Sequence, residues 1–186
     1  MFGAHHSYDS LNLAAAEIEA GAEGLFSIPF GNGAERMLNN AIVGAHLHNL
    51  DFNIHSLGHL VRSAQEGIAF AFRYGLDIMK ENGISPSVIR AGRANMFLSK
   101  VFTSAFVNAT GVAVELHQCD GSVGAAVGAG VGVGALDENE LAAGNQTIAV
   151  IEPEQTERYE ELYHQWKEVL EQQMQKIKKT SSLFSV

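Results

Sequence analysis

Residues 89–98, which read IRAGRANMFL, decide the fold. The β-branched pair Val88-Ile89 predicts a strand, and the small residues after it predict a tight turn. The turn opens into an amphipathic pattern that predicts a helix over 96–108. A strand that feeds a turn at a helix N-terminus is typical of nucleotide sites, because the backbone comes close and unpaired N–H groups point outward.

The elements that follow predict an α/β fold with parallel strand pairing. A second strand is expected over 112–116, and Asp120 or Ser122 is expected to cap a glycine-rich helix that ends near Gly134. This apolar helix is too short to cross a bilayer, which takes about 20 apolar residues. Only two strands are well defined, so the chain is expected to form part of a larger sheet.

The rest of the chain predicts further helices and marginal strands. A helix is expected over 10–20, a strand over 25–30 with a turn at 31–33, and either a strand or an irregular edge over 41–44. The strongest helix spans 56–82, with Ser56 as its N-cap and Gly83 just beyond its end. We expect its apolar stripe to face the core; the stripe contains Leu57, Val61, Ala64, Ile68, Phe72 and Met79.

The C-terminal part predicts an extended segment over 146–151 and a last helix over 156–178. An acidic loop is expected over 137–144, and 180–186 are expected to form a frayed tail. The packed side of the last helix is expected to carry Tyr159, Leu162, Tyr163, Trp166, Val169, Leu170 and Ile177.

Composition and charge exclude several functional classes. The 186 residues carry a formal net charge of −9 and no dense basic cluster, which argues against nucleic-acid binding. No apolar segment is long enough for a membrane span, and the start of the chain does not read as a signal peptide. Cys119 is the only cysteine and is expected to be an inert apolar residue, which fits a reducing cytoplasm.

Four motifs resemble those of the FGGY carbohydrate kinases, and they occur in the family's order. Residues 50–70 resemble a helix with a histidine, an arginine and then Glu-Gly before an apolar-aromatic run. Residues 91–98 resemble a small-residue turn followed by Ala-Asn-x-Phe-Leu. Residues 120–126 resemble a glycine- and alanine-rich helix, and residues 151–163 resemble the closing segment. The resemblance covers about 8–166 and is greatest to the xylulokinase branch.

This resemblance implies a ribonuclease-H-like, actin-like ATPase fold, with ATP and Mg²⁺ bound between two lobes. It implies phosphoryl transfer from ATP to a ketopentose hydroxyl by the parent enzyme. Residues 1–186 would then be part of the C-terminal, nucleotide-binding lobe. The family's sugar-binding lobe and catalytic aspartate have no counterpart here. No catalytic residue is therefore assigned, and the chain alone is expected to be inactive, since ATP and sugar would meet through the other lobe.

The resemblance assigns nucleotide binding to Ala91, Gly92 and Asn95. Asn95 would present its amide to the adenine or the ribose, and Ala91 stands where the family usually has glycine. The alternative for Asn95 is a plain helix cap. Two alternatives also stand for Gly124 and Gly128: close approach to a nucleotide, or ordinary packing of the helix on the sheet.

Other polar and glycine-rich positions have weaker functional interpretations. Residues 130–135 fit a loose dinucleotide-binding pattern, but they do not directly follow a strand. His55 and His59 have metal-ligand spacing without a third ligand, so capping or surface histidines are favoured and no metal site is assigned. Glu66 is expected to be buried and paired with Arg62 or Arg73.

Two other functional classes compete with a sugar kinase. One is a non-catalytic, actin-like module for ATP binding or assembly. The other, ranked last, is the dinucleotide-binding domain of an oxidoreductase, because the glycine fingerprint is poor. An incomplete sheet would expose an edge and an apolar face, so we also expect self-association, for example as a homodimer.

Overall fold

The computed structural model describes residues 6–118, 121–136 and 146–183. The interpretations of Cys119, of Asp120 as a cap and of the acidic loop over 137–144 lie outside these residues. The helices are α1 (Tyr8–Ala16), α2 (Leu57–Glu81), α3 (Lys100–Thr110), α4 (Gly121–Gly132) and α5 (Thr156–Leu183). The strands are β1 (Phe26–Glu35), β2 (Ala41–His48), β3 (Val88–Gly92), β4 (Ala113–His117) and β5 (Thr147–Ile151).

Strands β1 and β2 form an antiparallel hairpin. The predicted turn at 31–33 is wrong, because the strand continues to Glu35 and these residues bulge out between two paired positions. The chain instead reverses at Arg36–Leu38 and at Asn39 and Asn40, whose φ angles are 56° and 59°. Asparagine tolerates this left-handed conformation better than most residues. The segment over 41–44 is therefore a true strand.

The second sheet has the order β3-β4-β5. Strands β3 and β4 are parallel, as predicted, and β5 runs antiparallel to β4. Helix α3 begins at Lys100, four residues later than expected, because Asn95–Leu98 form a 3-10 turn. Ser99 then caps α3 by accepting the Phe102 N–H at 3.3 Å. The outer edge of β3 has no strand partner among the described residues.

Helix α2 begins after Ser56 and ends before Gly83, as predicted. Its N-terminus has a capping box in which Ser56 and His59 satisfy each other's backbone N–H. The predicted stripe faces the core only in part: Ile68 packs against the core, whereas Phe72 is 54% exposed and Leu57 is only partly buried. The buried face instead carries small and polar residues, because glycine lets α2 approach neighbouring backbone closely: Gly67 lies against the Ser27 carbonyl.

Helix α1 starts at Tyr8 and ends at Ala16, earlier at both ends than predicted. Ser7 provides the N-cap and accepts the Ser10 N–H at 3.2 Å. After Ala16 the backbone leaves the regular α-helical hydrogen-bond pattern, and side chains from other helices bond to its carbonyls. The Ile18 carbonyl accepts a hydrogen bond from Arg62 at 2.7 Å, and the Ala20 carbonyl accepts one from Arg158 at 3.2 Å.

Helix α5 closes the core with the predicted side. Tyr159, Leu162, Tyr163, Trp166 and Leu170 are all buried. The Trp166 indole N–H donates to the Ser27 carbonyl at 2.8 Å, so the helix is fixed to β1. The helix continues to Leu183, through the first part of the predicted tail. Among the described residues, no helix has both the length and the apolar character that crossing a bilayer requires.

A buried carboxylate joins three helical segments. Glu66 is 2% exposed, and one of its oxygens lies 2.8 Å from the Arg62 guanidinium. Both oxygens accept the Gly21 N–H at 3.1 Å. Arg62 also contacts the Tyr159 hydroxyl at 3.2 Å. Burial raises the pKa of Glu66, an effect that Arg62 opposes, and burial beside Glu66 raises the pKa of Tyr159 to about 12.

We predict that Gly67→Ala lowers the free energy of unfolding by about 1–3 kcal/mol. A Cβ at this position would overlap the Ser27 carbonyl oxygen, so α2 and β1 would have to separate. The matched control is Gly75→Ala in the same helix, where a Cβ would lie 3.9 Å from the Met37 methyl group. Urea unfolding should show the control unchanged or stabilised by up to about 1 kcal/mol. Equal destabilisation by both variants would contradict this packing.

We also predict that Glu66→Gln destabilises the fold by about 3–5 kcal/mol, since it leaves Arg62 buried without its anionic partner. The control is Glu161→Gln, because Glu161 pairs with Arg158 at the surface at 3.4 Å. An exposed pair contributes at most about 1 kcal/mol. Thermal and urea unfolding of both variants measure the difference. A Glu66→Gln protein as stable as the control would show that the buried pair does not hold the helices.

Candidate functional site

The turn after β3 is held by its own backbone. The Arg93 N–H donates to the His117 carbonyl at 2.9 Å, and the Ala94 N–H donates to the Gly92 carbonyl at 2.8 Å. These two donors do not point outward, contrary to the expectation for this turn. The turn is therefore fixed to the end of β4. Any backbone or side-chain group of the turn that could bind a ligand without breaking these two hydrogen bonds lies after Ala94.

Like Arg93, Asn95 is a residue that this turn presents to solvent. It is exposed, and its φ of 52° lies in the left-handed region, which asparagine tolerates better than most side chains. Its amide has no hydrogen-bond partner within the described part of the chain. Asn95 does not cap α3, because Ser99 does so. The helix-cap interpretation of Asn95 is therefore wrong.

The other two predicted site residues, Ala91 and Gly92, are the last residues of β3. They pair with Leu116 and His117 of β4 and are both partly buried. The structure thus brings Ala91, Gly92 and Asn95 together at the carboxyl end of a parallel strand. Open α/β sheets commonly bind ligands at this end of their strands.

A groove of about 740 Å³ opens beside Asn95, between α1, α2 and the 3-10 turn. Its apolar wall is formed by Leu57, Val61, Ala64 and Ile68, four members of the stripe that the sequence assigned to the core. Asp9 contributes a carboxylate, and the lining contains no lysine or arginine. The groove is thus an apolar surface with a few polar groups in its lining.

The polar groups of the groove include a hydrogen-bonded relay that the sequence reasoning missed. The Ser99 hydroxyl donates to the Gln65 amide oxygen at 2.7 Å, and the Gln65 amide group donates to Asn12 at 2.9 Å. Gln65 and Ser99 are both buried. The relay connects the turn to α2 and α1. The available signal was a glutamine within the apolar part of α2, since a buried polar side chain requires a partner.

Helix α4 does not show the packing expected for its small residues. Residues 121–126 are exposed, and a Cβ at Gly124 or Gly128 would have no described neighbour within 4 Å. The glycine pattern over 130–135 lies at the C-terminal end of this helix. A dinucleotide-binding fingerprint lies between a strand and the start of a helix, so that interpretation is wrong.

The paired histidines have structural partners. His59 belongs to the capping box of α2, and His55 accepts the Asp51 N–H at 2.9 Å through its Nδ1. Both rings are buried, so neither is a surface histidine; capping is correct for His59, whereas His55 holds the turn before α2. Across residues 6–118, 121–136 and 146–183, no group of three or more His, Cys, Asp or Glu residues could hold a metal ion.

The sequence matches one protein-family profile, described as the FGGY family of carbohydrate kinases, C-terminal domain, over residues 4–133. It is 34% identical over 82 residues to xylulose kinase from Haemophilus influenzae, covering 44% of this chain and 16% of that protein. It is 29% identical over 134 residues to L-xylulose/3-keto-L-gulonate kinase from Escherichia coli, covering 69% of this chain and 25% of that protein.

The fold is similar to the crystal structure of xylulose kinase from Rhodospirillum rubrum, with a TM-score of 0.69 and 26% identity. The match covers 87% of this chain and 33% of that one. This similarity confirms the predicted actin-like α/β fold. The chain spans about a third of the length of this solved structure and a quarter or less of the two curated relatives.

Proposed function

Since this chain belongs to the FGGY family of carbohydrate kinases, we propose that it is part of the nucleotide-binding lobe of an ATP-dependent sugar kinase. We propose a ketopentose as the sugar, because the Haemophilus influenzae and Rhodospirillum rubrum proteins are xylulose kinases. We also propose a cytoplasmic location, which this role and the single cysteine support. Residues 1–186 would all belong to this lobe.

The observation that carries the proposal is the exposed, unpartnered amide of Asn95 at the carboxyl end of β3. Ala91 has a small side chain and Gly92 has none, so a nucleotide could approach the backbone closely at both positions. We propose that these three residues bind ATP and that the Asn95 amide hydrogen-bonds to the adenine or the ribose. When bound, ATP supplies the phosphoryl group that a kinase transfers.

The residues around Asn95 also support the proposal that this chain binds ATP but does not transfer its phosphoryl group on its own. Phosphoryl transfer needs cationic groups near the γ-phosphate and a positioned base. The groove beside Asn95 has one carboxylate, that of Asp9, and no lysine or arginine. The Mg²⁺ of the reaction is proposed for the complete kinase. The sugar and the remaining catalytic groups would come from the rest of a longer kinase.

We predict that calorimetric titration detects ATP binding by the chain and that Asn95→Ala weakens it at least about tenfold, or about 1.4 kcal/mol. The reason is the loss of the only assigned side-chain hydrogen bond to the nucleotide. Asn40→Ala is the matched control, because Asn40 is also an exposed asparagine with positive φ. It should bind ATP like the unaltered chain. Absence of ATP binding, or equal affinities of both variants, would contradict the site.

We further predict that residues 1–186 alone do not phosphorylate xylulose. A coupled assay with ATP and xylulose should show no turnover above the protein-free rate, since the sugar site and the remaining catalytic groups are proposed to lie in the rest of a longer kinase. Complete Haemophilus influenzae xylulose kinase, assayed in parallel, controls for the detection chemistry. Kinases typically turn over at about 1–100 s⁻¹. Turnover by this chain in that range would contradict the proposal that the sugar site and the remaining catalytic groups lie in the rest of a longer kinase.

A further inference from the structure

The groove beside Asn95 leaves apolar side chains in contact with water. Leu98 is 63% exposed and Tyr8 is 87% exposed at its rim, and the wall residues Leu57, Val61 and Ile68 are only partly buried. Apolar surface in water costs about 25 cal/mol per Å². A contiguous exposed apolar patch with a few polar groups marks a contact surface.

Helix α2 has two faces that are suited to burial. One face is packed: Phe70 contacts the aromatic residues of α5, Gly67 lies against β1, and Gly58 lies against Ala14 of α1. The other face is the apolar stripe along the groove. The packed face consists mainly of small and polar residues, so the larger apolar side chains of α2 lie along the groove, where no described residue covers them. The stripe thus indicates a second layer over α2.

The occupant that fits this groove best is a helix. Residues 57, 61, 64 and 68 recur at spacings of three and four, which creates the ridges and grooves that another helix fills. The chain matches only 33% of the Rhodospirillum rubrum structure, so a kinase of this family has polypeptide that this chain does not. Asp9 in the lining favours a cation or a hydrogen-bond donor on the incoming segment.

We propose that this groove seats an apolar helix from the part of the kinase polypeptide outside residues 1–186. The proposal rests on the proposed function, because it takes the chain to be one part of a sugar kinase. The helix would cover Leu98 and the stripe, and it would bury the surface directly next to Asn95. The groove is then an internal packing surface of the complete kinase, and in the separate chain it is open.

Thiol labelling tests this directly. In a Cys119→Ser background, Leu98→Cys places one reporter in the groove, and Ile84→Cys places a control beyond the end of α2. Ile84 is 54% exposed, and 13 helical residues, about 20 Å, separate Ile68 from Glu81. Labelling rates are compared, without nucleotide, between the separate chain and a chimera. In the chimera, this chain replaces the matched third of Rhodospirillum rubrum xylulose kinase.

We expect the residue 98 thiol to react at least about tenfold more slowly in the chimera than in the separate chain, while the residue 84 thiol reacts equally in both. Equal rates at residue 98 would overturn the proposal. Protection of residue 98 in the separate chain that increases with its concentration would also overturn it, because a second copy would then be the occupant. If the chimera does not fold, the unmatched two thirds of the Rhodospirillum rubrum kinase, added separately, must give the same protection.

The labelling result is independent of the proposed nucleotide site. ATP titration of the separate chain tests Asn95 while the groove is open. Protection of residue 98 without ATP binding would retain the covering helix and reject the nucleotide role. ATP binding without protection of residue 98 would retain the nucleotide role and reject the covering helix.

Discussion

The buried ion pair between Glu66 and Arg62 is the constraint on which the arrangement of the helices depends. Two charges taken out of water destabilise a fold unless each is fully paired. The partners of this pair come from three places in the sequence, since Gly21 follows α1 and Tyr159 lies in α5. The pair can be satisfied only when α1, α2 and α5 meet. It therefore specifies one packing among the many that an apolar core alone would allow.

This constraint also determines which face of α2 becomes the groove wall. Glu66 and Gly67 lie on one face, and both require close neighbours: the carboxylate needs donors, and the glycine allows backbone contact with β1. That face must point inward, so the stripe that contains Leu57 and Val61 is left partly exposed, and Ile68 lies between the core and the groove. This stripe then forms the wall of the groove beside Asn95. A structural requirement in the core thus generates the surface next to the candidate nucleotide site.

Local signals in the sequence were sufficient for much of the fold. Ser56 and Gly83 bracket α2 as predicted because caps act within one helical turn, and the packed side of α5 follows from simple periodicity. The orientation of α2 could not be predicted in this way, because periodicity identifies an apolar stripe but not whether this domain or another layer buries it. The start of α3 was misplaced because Met96–Leu98 continue the apolar pattern of the helix that follows. In the structure Asn95–Leu98 form a 3-10 turn instead.

The candidate site was located by the strand-turn-helix pattern, but its chemistry depends on tertiary contacts. No local pattern shows that the Arg93 N–H is used by His117, or that Ser99 and Gln65 hold the turn against α1 and α2. These contacts leave the Asn95 amide without a partner among the described residues. Amide chemical-shift mapping during ATP titration of the ¹⁵N-labelled chain tests this most directly. The predicted result is a set of shifts centred on Ala91, Gly92 and Asn95; shifts centred on 130–135, or none, would contradict it.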